Sequence, residues 1–528
     1  MRYTQLHWLL VVVIVLVRVA YYYAQPDLNT DHILHMAMAQ NFMNGNGFSL
    51  KYLNPNNEIY YTTTIASPPL YPFFLGITNY ITSNTLLSSF LIQIIVIFFF
   101  VFIWKKILNL FSELISEFAF FYFIALLIIS TSILNNINTI LVFALMLLSV
   151  SLYYIFAYLF KERSKLNLTL SALFAALLFW THYSYFLVAF YPAVIMLILF
   201  ALKKNRGYLL AGIGSFIISL IITSGLIVYN FLTTGNINYM SNTNAWNAGF
   251  FPEHLLLADP IFLNAFFKTA YFEYISKKQY FSITTLAFHF MSLTILSFII
   301  FFYVKLRKKK IPPFEKITQL FIPFFVIIVL ILFFLLYFTL HYHEIPRPGW
   351  THIGETRYMG AVYMSIIAIV VMLLFTKVEY VSKEVIKVMR LLMMVLIFIS
   401  LTINIYITAD HWGKFSFNLV DEVPTDNLTE FYNNIKFELS KENIPVFINN
   451  DLTVRSVRMS QFAGAAVIHI KDIEKFKDFP SNMVFFFILP EKEYYRDEDH
   501  RLLQWGRNYQ LKATGKVYSV FDLYRVNK

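Results

Sequence analysis

The chain predicts a polytopic α-helical membrane protein of about eleven spans with a small C-terminal extracytoplasmic α/β domain. Three observations predict it. Of its 528 residues, 58% are hydrophobic and only 14% are charged, whereas a soluble domain has apolar content nearer half and charged content nearer a quarter. Apolar runs of membrane-spanning length recur as far as residue 409, separated by short polar turns. From about Asp410 the charges return and the apolar runs shorten to strand length. The chain therefore divides into a transmembrane domain, 1–409, and a soluble domain, 410–528. It contains no cysteine, which excludes a disulfide framework, a thiol nucleophile and a thiolate metal site.

The first apolar segment, Leu6 to Tyr23, follows a short basic start. It reads as a retained span whose Tyr21, Tyr22 and Tyr23 belong to an interfacial belt. Next, Asn29, Thr30 or Asp31 can cap a helix start, and Gly45 and Gly47 can stop it. The roughly three turns between are too short to span a bilayer. They are also too apolar for open water, so this helix is expected to lie in the membrane interface with Asp31 at its leading end. The first outer loop, 25–67, continues through a polar stretch. Ser67-Pro68-Pro69-Leu70-Tyr71-Pro72 then opens a short apolar helix, its prolines suiting a first turn that needs no amide hydrogens.

Further spans are expected at Leu86–Trp104, Phe118–Leu134 and Thr139–Phe160, then up to Trp180, up to Lys203, and over Tyr208–Leu232. A long loop from Thr233 precedes an eighth span ending near Lys305. The last three are Leu320–Leu340, one from Arg357 to about Lys377, and Leu391–Ile407. In the C-terminal domain, Val446–Ile448, Ala465–Ile468, Met483–Leu489 and Lys516–Val526 read as strands, and Thr429–Lys441 and Asp497–Trp505 as helices.

A net charge of +11 would suggest nucleic acid for a soluble protein. Here the basic residues cluster at Lys105, Lys161, Lys203, Lys305–Lys310 and Lys377–Arg390, in every second loop between the spans and so all on one side. The positive-inside rule accounts for them with the N-terminus in the cytoplasm. The lipid bilayer is then the partner, with no nucleic acid. The Asp31 loop, the Asn135–Asn138 turn, the His182 turn, the His341 loop and the C-terminal domain fall outside.

All polar groups of chemical interest lie on that outer side. A carboxylate at Asp31 can act on something dissolved in the bilayer, although Asp at such a position is also an ordinary helix cap. His35 lies one turn on and shares its face. His341, His343 and Glu344, with His352 and Glu355 nearby, could bind a divalent metal ion, or could be a solvated aromatic loop. Arg357, at the start of a span beside Tyr358, is costly to desolvate and suits an anion facing a cavity, though it could also snorkel.

The first span, the Asp31 loop with Ala39 running into Gly45 and Gly47, and the Pro68-Pro69-Leu70-Tyr71-Pro72 helix entry resemble the start of the GT-C glycosyltransferases. The likeness is to the protein mannosyltransferase and aminoarabinose transferase type. Tyr229-Asn230-Phe231, Thr234-Gly235 and Arg357-Tyr358 are also similar to this family. The resemblance implies an inverting enzyme that takes a sugar from a polyprenyl-phosphate-linked donor to an extracytoplasmic glycan, lipid or protein, in a bacterial inner membrane. It implies Asp31 as catalytic base and Arg357, with Tyr358, at the donor phosphate. Further candidates for the site are His32, His35, Pro69, Tyr71, Asn138 and His182. Where the family often carries a second acid, this chain has His32. Its second outer loop has Asn135, Asn136 and Asn138 in place of an acid, and Ser67 stands where a basic residue often precedes the prolines. A flippase for polyprenyl-linked glycans and a non-catalytic envelope scaffold are the alternatives. The flippase predicts ionisable residues at mid-span, and the spans read as almost free of them.

Overall fold

The computed structural model describes residues 3–24, 30–65, 67–129, 139–235, 246–248, 297, 300–301, 304, 314–340, 356–377, 383–412, 428–449, 454–476, 478–490, 497–507, 512–518 and 521–527. In chain order the elements begin with α1 (Tyr3–Ala24), α2 (Thr30–Met43), the strands β1 (Ser49–Leu53) and β2 (Ile59–Thr63), α3 (Leu70–Thr82) and α4 (Thr85–Asn109). There follow α5 (Phe118–Ile129), α6 (Thr139–Phe156), α7 (Lys165–Thr181), α8 (Tyr191–Lys203), α9 (Arg206–Thr234), β3 (Trp246–Ala248), α10 (Phe314–Tyr337) and β4 (Phe338–Leu340). The last part holds α11 (Thr356–Leu374), α12 (Lys383–His411), α13 (Leu428–Ser440), β5 (Ile444–Asn449), α14 (Val454–Ala463), β6 (Ala466–His469) and β7 (Met483–Pro490). It closes with α15 (Asp497–Arg507), β8 (Lys512–Tyr518) and β9 (Phe521–Asn527).

Among the described residues, six helical segments are long and apolar enough to cross a membrane: His7–Ala24, Thr85–Asn109, Val142–Lys161, Arg206–Thr234, Lys316–Phe334 and Lys383–Asp410. Phe118–Ile129, Lys165–Thr181, Val188–Lys203 and Gly360–Leu374 are shorter apolar helices. The eighth expected span falls mostly outside the described residues. The chain is a multi-pass membrane protein.

Two compact units emerge. The first comprises 1–22, 65–70 and 93–410. In it α6 packs on α7, α9 on both α7 and α8, and α11 on α5 and α10. Lipid offers no hydrophobic drive between helices, so polar clasps and close packing carry the association. The Ser151 hydroxyl donates to the Ser171 carbonyl at 2.6 Å and lies 2.6 Å from the Tyr191 hydroxyl, joining α6, α7 and α8. The Trp104 indole donates to Ser149 Oγ at 2.9 Å, with its ring centroid 4.0 Å from that of Phe123.

One charge sits deep in this unit. Arg18 of α1 is buried, donates through Nη1 to Asn404 Oδ1 of α12 at 3.2 Å, and lies 5.0 and 5.4 Å from the ring centroids of Tyr21 and Tyr22. Asn404 Nδ2 in turn donates to the Ile129 carbonyl of α5 at 2.9 Å. The expectation of spans nearly free of ionisable groups passed over this residue. Burial of a guanidinium requires acceptors and aromatic faces around it.

The second unit comprises 23–64, 71–92 and 411–528. Its sheet runs β2-β1-β6-β5-β7-β9-β8. The middle pairs β1–β6, β6–β5 and β5–β7 are parallel, and the hairpins at both ends are antiparallel. Three features depart from the expectations. The stretch read only as polar loop supplies two strands, β1 and β2. The strand expected at Lys516–Val526 is instead two antiparallel strands, β8 and β9, with Tyr518 opposite Phe521. The helix α14 was passed over altogether, its sequence being too charged to show an apolar face. Leu53 of the first loop is buried in one core with Val446, Ile448, Ala466, Phe485 and Leu489.

The Arg18–Asn404 bond yields a stability prediction. Asn404→Leu removes the acceptor and should destabilise by about 2 kcal/mol, the range for hydrogen bonds to charged groups. Adding Arg18→Met should recover part of that loss, measured as thermal unfolding in detergent. Strictly additive losses would show that the two side chains are independent.

Candidate functional site

The apolar residues of α2 are spread round the helix and not gathered on one face, and such a helix is stable only when enclosed. From His32 to Ala39 each side chain is at most 2% exposed. The helix is thus enclosed by protein along this stretch. The second unit supplies the enclosure: α14 packs against α2, and β1 follows it closely. On the α3 side, Gly76 admits the helix. A Cβ there would stand 3.2 Å from Phe42 Cδ1 and 3.4 Å from the Ala39 carbonyl. The C-terminal end stops as expected, with Gly45 and Gly47 in left-handed conformations and Phe42 stacked on Phe48 at 4.6 Å.

Asp31 is the second residue of this helix. A carboxylate in a first turn faces the positive end of the helix dipole. The two histidines that follow meet one ring. His32 and His35 both stand edge-on to Tyr71, at centroid distances of 6.3 and 5.5 Å and an interplanar angle of 86° in each case. Tyr71, in the first turn of α3, is fully buried. Burial pushes the His32 imidazole down to about 4. It is therefore neutral near pH 7, and no positive charge sits beside Asp31 from that neighbour.

The first unit holds a different group of the candidate residues. His182 closes α7, and its Nδ1 lies 2.7 Å from Ser184 Oγ and accepts from the Ser184 amide at 3.2 Å. That is a capping role. Beside it, the Tyr183 hydroxyl donates to the Ile65 carbonyl at 2.9 Å and accepts from Asn230 Nδ2 at 3.2 Å. The strap 65–70, with Ser67, Pro68 and Pro69 buried, is thereby tied to the α7–α8 turn and to α9. Of these two anchors, Asn230 belongs to a stretch singled out in the sequence for its resemblance. The hydrogen-bonding part of Tyr183 carried no signal.

Arg357 and Tyr358 are in the first turn of α11, as the reading of a span starting there expected. For Asp31, Arg357 and Tyr358 the description is of the backbone. Asn138, His341, His343 and Glu344 lie outside the described residues, as do His352 and Glu355. Among the described residues no group of three His, Asp or Glu side chains is placed to hold a metal ion.

No family model matches the chain, and no curated protein matches it. Solved structures match it almost from end to end and share its fold. One is ArnT from Cupriavidus metallidurans bound to undecaprenyl phosphate, with a TM-score of 0.57 at 9% identity over 99% of this chain and 98% of that one. The apo state of the same protein gives a TM-score of 0.56 at 8% identity with the same coverage.

The depressed His32 sets a pH dependence. Its folded pKa lies below the ordinary 6.5, so the unfolded chain takes up the proton first. Stability is then full above about pH 6.5 and lost as the pH falls toward 4. The loss through this group should be on the order of 3 kcal/mol by pH 4. Thermal unfolding midpoints should fall more steeply between pH 6.5 and 4.5 for the native chain than for His32→Leu. Parallel slopes would contradict the burial argument.

Proposed function

We propose that this chain is a membrane-embedded, inverting glycosyltransferase. It moves a sugar from a polyprenyl-phosphate-linked donor to an extracytoplasmic glycan, lipid or protein. The observation that carries the reading is the fold, shared over 99% of the chain with a protein bound to undecaprenyl phosphate. An acidic residue stands at the head of a rigidly enclosed helix in its first outer loop. In this reading Asp31 is the general base, taking the acceptor's proton as the acceptor attacks the anomeric carbon. Arg357 stabilises the departing polyprenyl phosphate by charge-assisted hydrogen bonds, with Tyr358 beside it. Asp31 keeps its proton-accepting role undisturbed by His32, which stays neutral.

The basic loops support a multi-pass arrangement in the bacterial inner membrane, with the N-terminus in the cytoplasm and the sheet-bearing unit outside. The ring pair His32 and His35 on Tyr71 serves to hold the helix, and His182 serves to cap its turn. A divalent metal ion at His341, His343 and Glu344 would supply Lewis-acid help to the leaving phosphate. Removal of divalent ions by a chelator tests that part separately.

The purified protein in lipid, given a panel of polyprenyl-phosphate sugars, should release free polyprenyl phosphate from at least one of them. Asp31→Asn should lower the rate by roughly 10²–10⁴-fold, the contribution of a positioned base. A folded Asp31→Asn variant with an undiminished rate would overturn the assignment of Asp31.

A further inference from the structure

The two strands of the first outer loop are part of the same sheet as the C-terminal segment. β1 pairs in parallel with β6, with Tyr52 opposite Val467. The helix that β1 follows, α2, lies against α14, the helix that leads into β6. The connection is closed at one point by a charged side chain. Lys51 Nζ donates to the carbonyl of Gly464 at 2.8 Å, in the turn between α14 and β6. Gly464 has φ +102°, and a Cβ there would come within 2.9 Å of Leu439 Cδ1 on α13. The turn is thus fixed on its other side as well, by backbone conformation and by packing. A second tie runs from Asn57 in the β1–β2 turn to the Asp478 carbonyl.

Lys51 is half-buried, and burial together with the charge of Lys436 pulls its pKa below the usual lysine value. A cation held there against desolvation and a like charge makes its bond to Gly464 a charge-assisted one. It also means that the residue is placed at a cost, which a merely solvated surface lysine does not carry.

We infer that the C-terminal segment is the support that holds the Asp31 helix in register, and that Lys51 is a positioning residue for that helix. It acts through the turn at Gly464 and through α14. The inference rests on the proposed role of Asp31 for its catalytic consequence, and on the sheet and helix contacts alone for its mechanical part. Misplacing a reacting group by even about 1 Å is enough to cost up to 10²-fold in rate, so a support of this kind has a measurable effect without touching the substrate.

The test uses the full chain in lipid, comparing native protein with Lys51→Met and Lys51→Arg. Amide hydrogen exchange over 33–40 should quicken at least tenfold in Lys51→Met and stay unchanged in α6, and Lys51→Arg should restore it. With a donor that the native chain uses, kcat of Lys51→Met should fall about tenfold with the donor KM unchanged, again rescued by Lys51→Arg. Unchanged exchange over 33–40 would overturn the inference. So would a loss expressed in KM, which would make Lys51 a substrate contact.

Because the chain has no cysteine, Tyr52→Cys with Val467→Cys gives a second, independent variant should Lys51→Met fold poorly. Oxidation of that pair should slow exchange in α2, and reduction should reverse the effect. A pair that oxidises without any change in α2 overturns the coupling. If the native chain releases no polyprenyl phosphate from any donor, the proposed function is what fails, and the exchange measurements still decide whether the C-terminal segment holds α2.

Discussion

Enclosure of α2 is the constraint on which the second unit depends. Ile33, Leu34, Met36 and Met38 are each at most 2% exposed, and burying such a side chain contributes roughly 1.5–3 kcal/mol. Their sum outweighs the cost of keeping His32 neutral and buried among them. A helix with these side chains on every face has no stable place on a water or lipid boundary. It needs partners all round, and it finds them in α14 and α3, with β1 close behind it. The partners come from segments far apart in sequence, one of them more than 400 residues away. Asp31 is carried at the end of an element that cannot shift without opening a core.

The first unit solves a different problem. Its helices lie among side chains no more apolar than lipid, so association depends on directed polar contacts and on close fit. The Ser151–Tyr191 and Trp104–Ser149 bonds do this between neutral groups. The Arg18–Asn404–Ile129 chain does it with a charge, and ties the first apolar helix to α5 and α12. A buried arginine in a spanning helix is expensive. Here it has an amide acceptor and two tyrosine rings around it, and a network of that kind specifies one arrangement of three helices.

Sequence reasoning reached the membrane part well because the physics there is one-dimensional. A span must be apolar over a set length, and its ends must carry polar or basic residues, so α4, α7, α9 and α12 were all legible. The C-terminal strands Val446–Ile448 and Met483–Leu489 were legible for the same kind of reason, as short apolar runs between turns. What was not legible depends on partners distant in the chain. Ser49–Leu53 alternates weakly and ends in Asn54-Pro55-Asn56-Asn57, a recognisable turn, yet nothing local says that its neighbour is Ala466–His469. The enclosure of α2 is of the same kind, because α14, which packs on it, lies more than 400 residues further along the chain. Arg18 was missed because one charge in a long apolar run does not alter its hydropathy. At the site, Asp31 and Tyr71 stood out by spacing and resemblance. The convergence of His32 and His35 on Tyr71 is a property of packing and could not be read from order in the chain.

The proposed function requires that a polyprenyl-linked sugar bind with its anomeric carbon toward Asp31. The most direct measurement is a structure of the protein in lipid with a non-hydrolysable polyprenyl-phosphonate sugar. The expected result is the Asp31 carboxylate facing the anomeric carbon of the bound sugar. A headgroup bound away from α2, or a carboxylate turned back to cap its own helix with the donor in place, would contradict it.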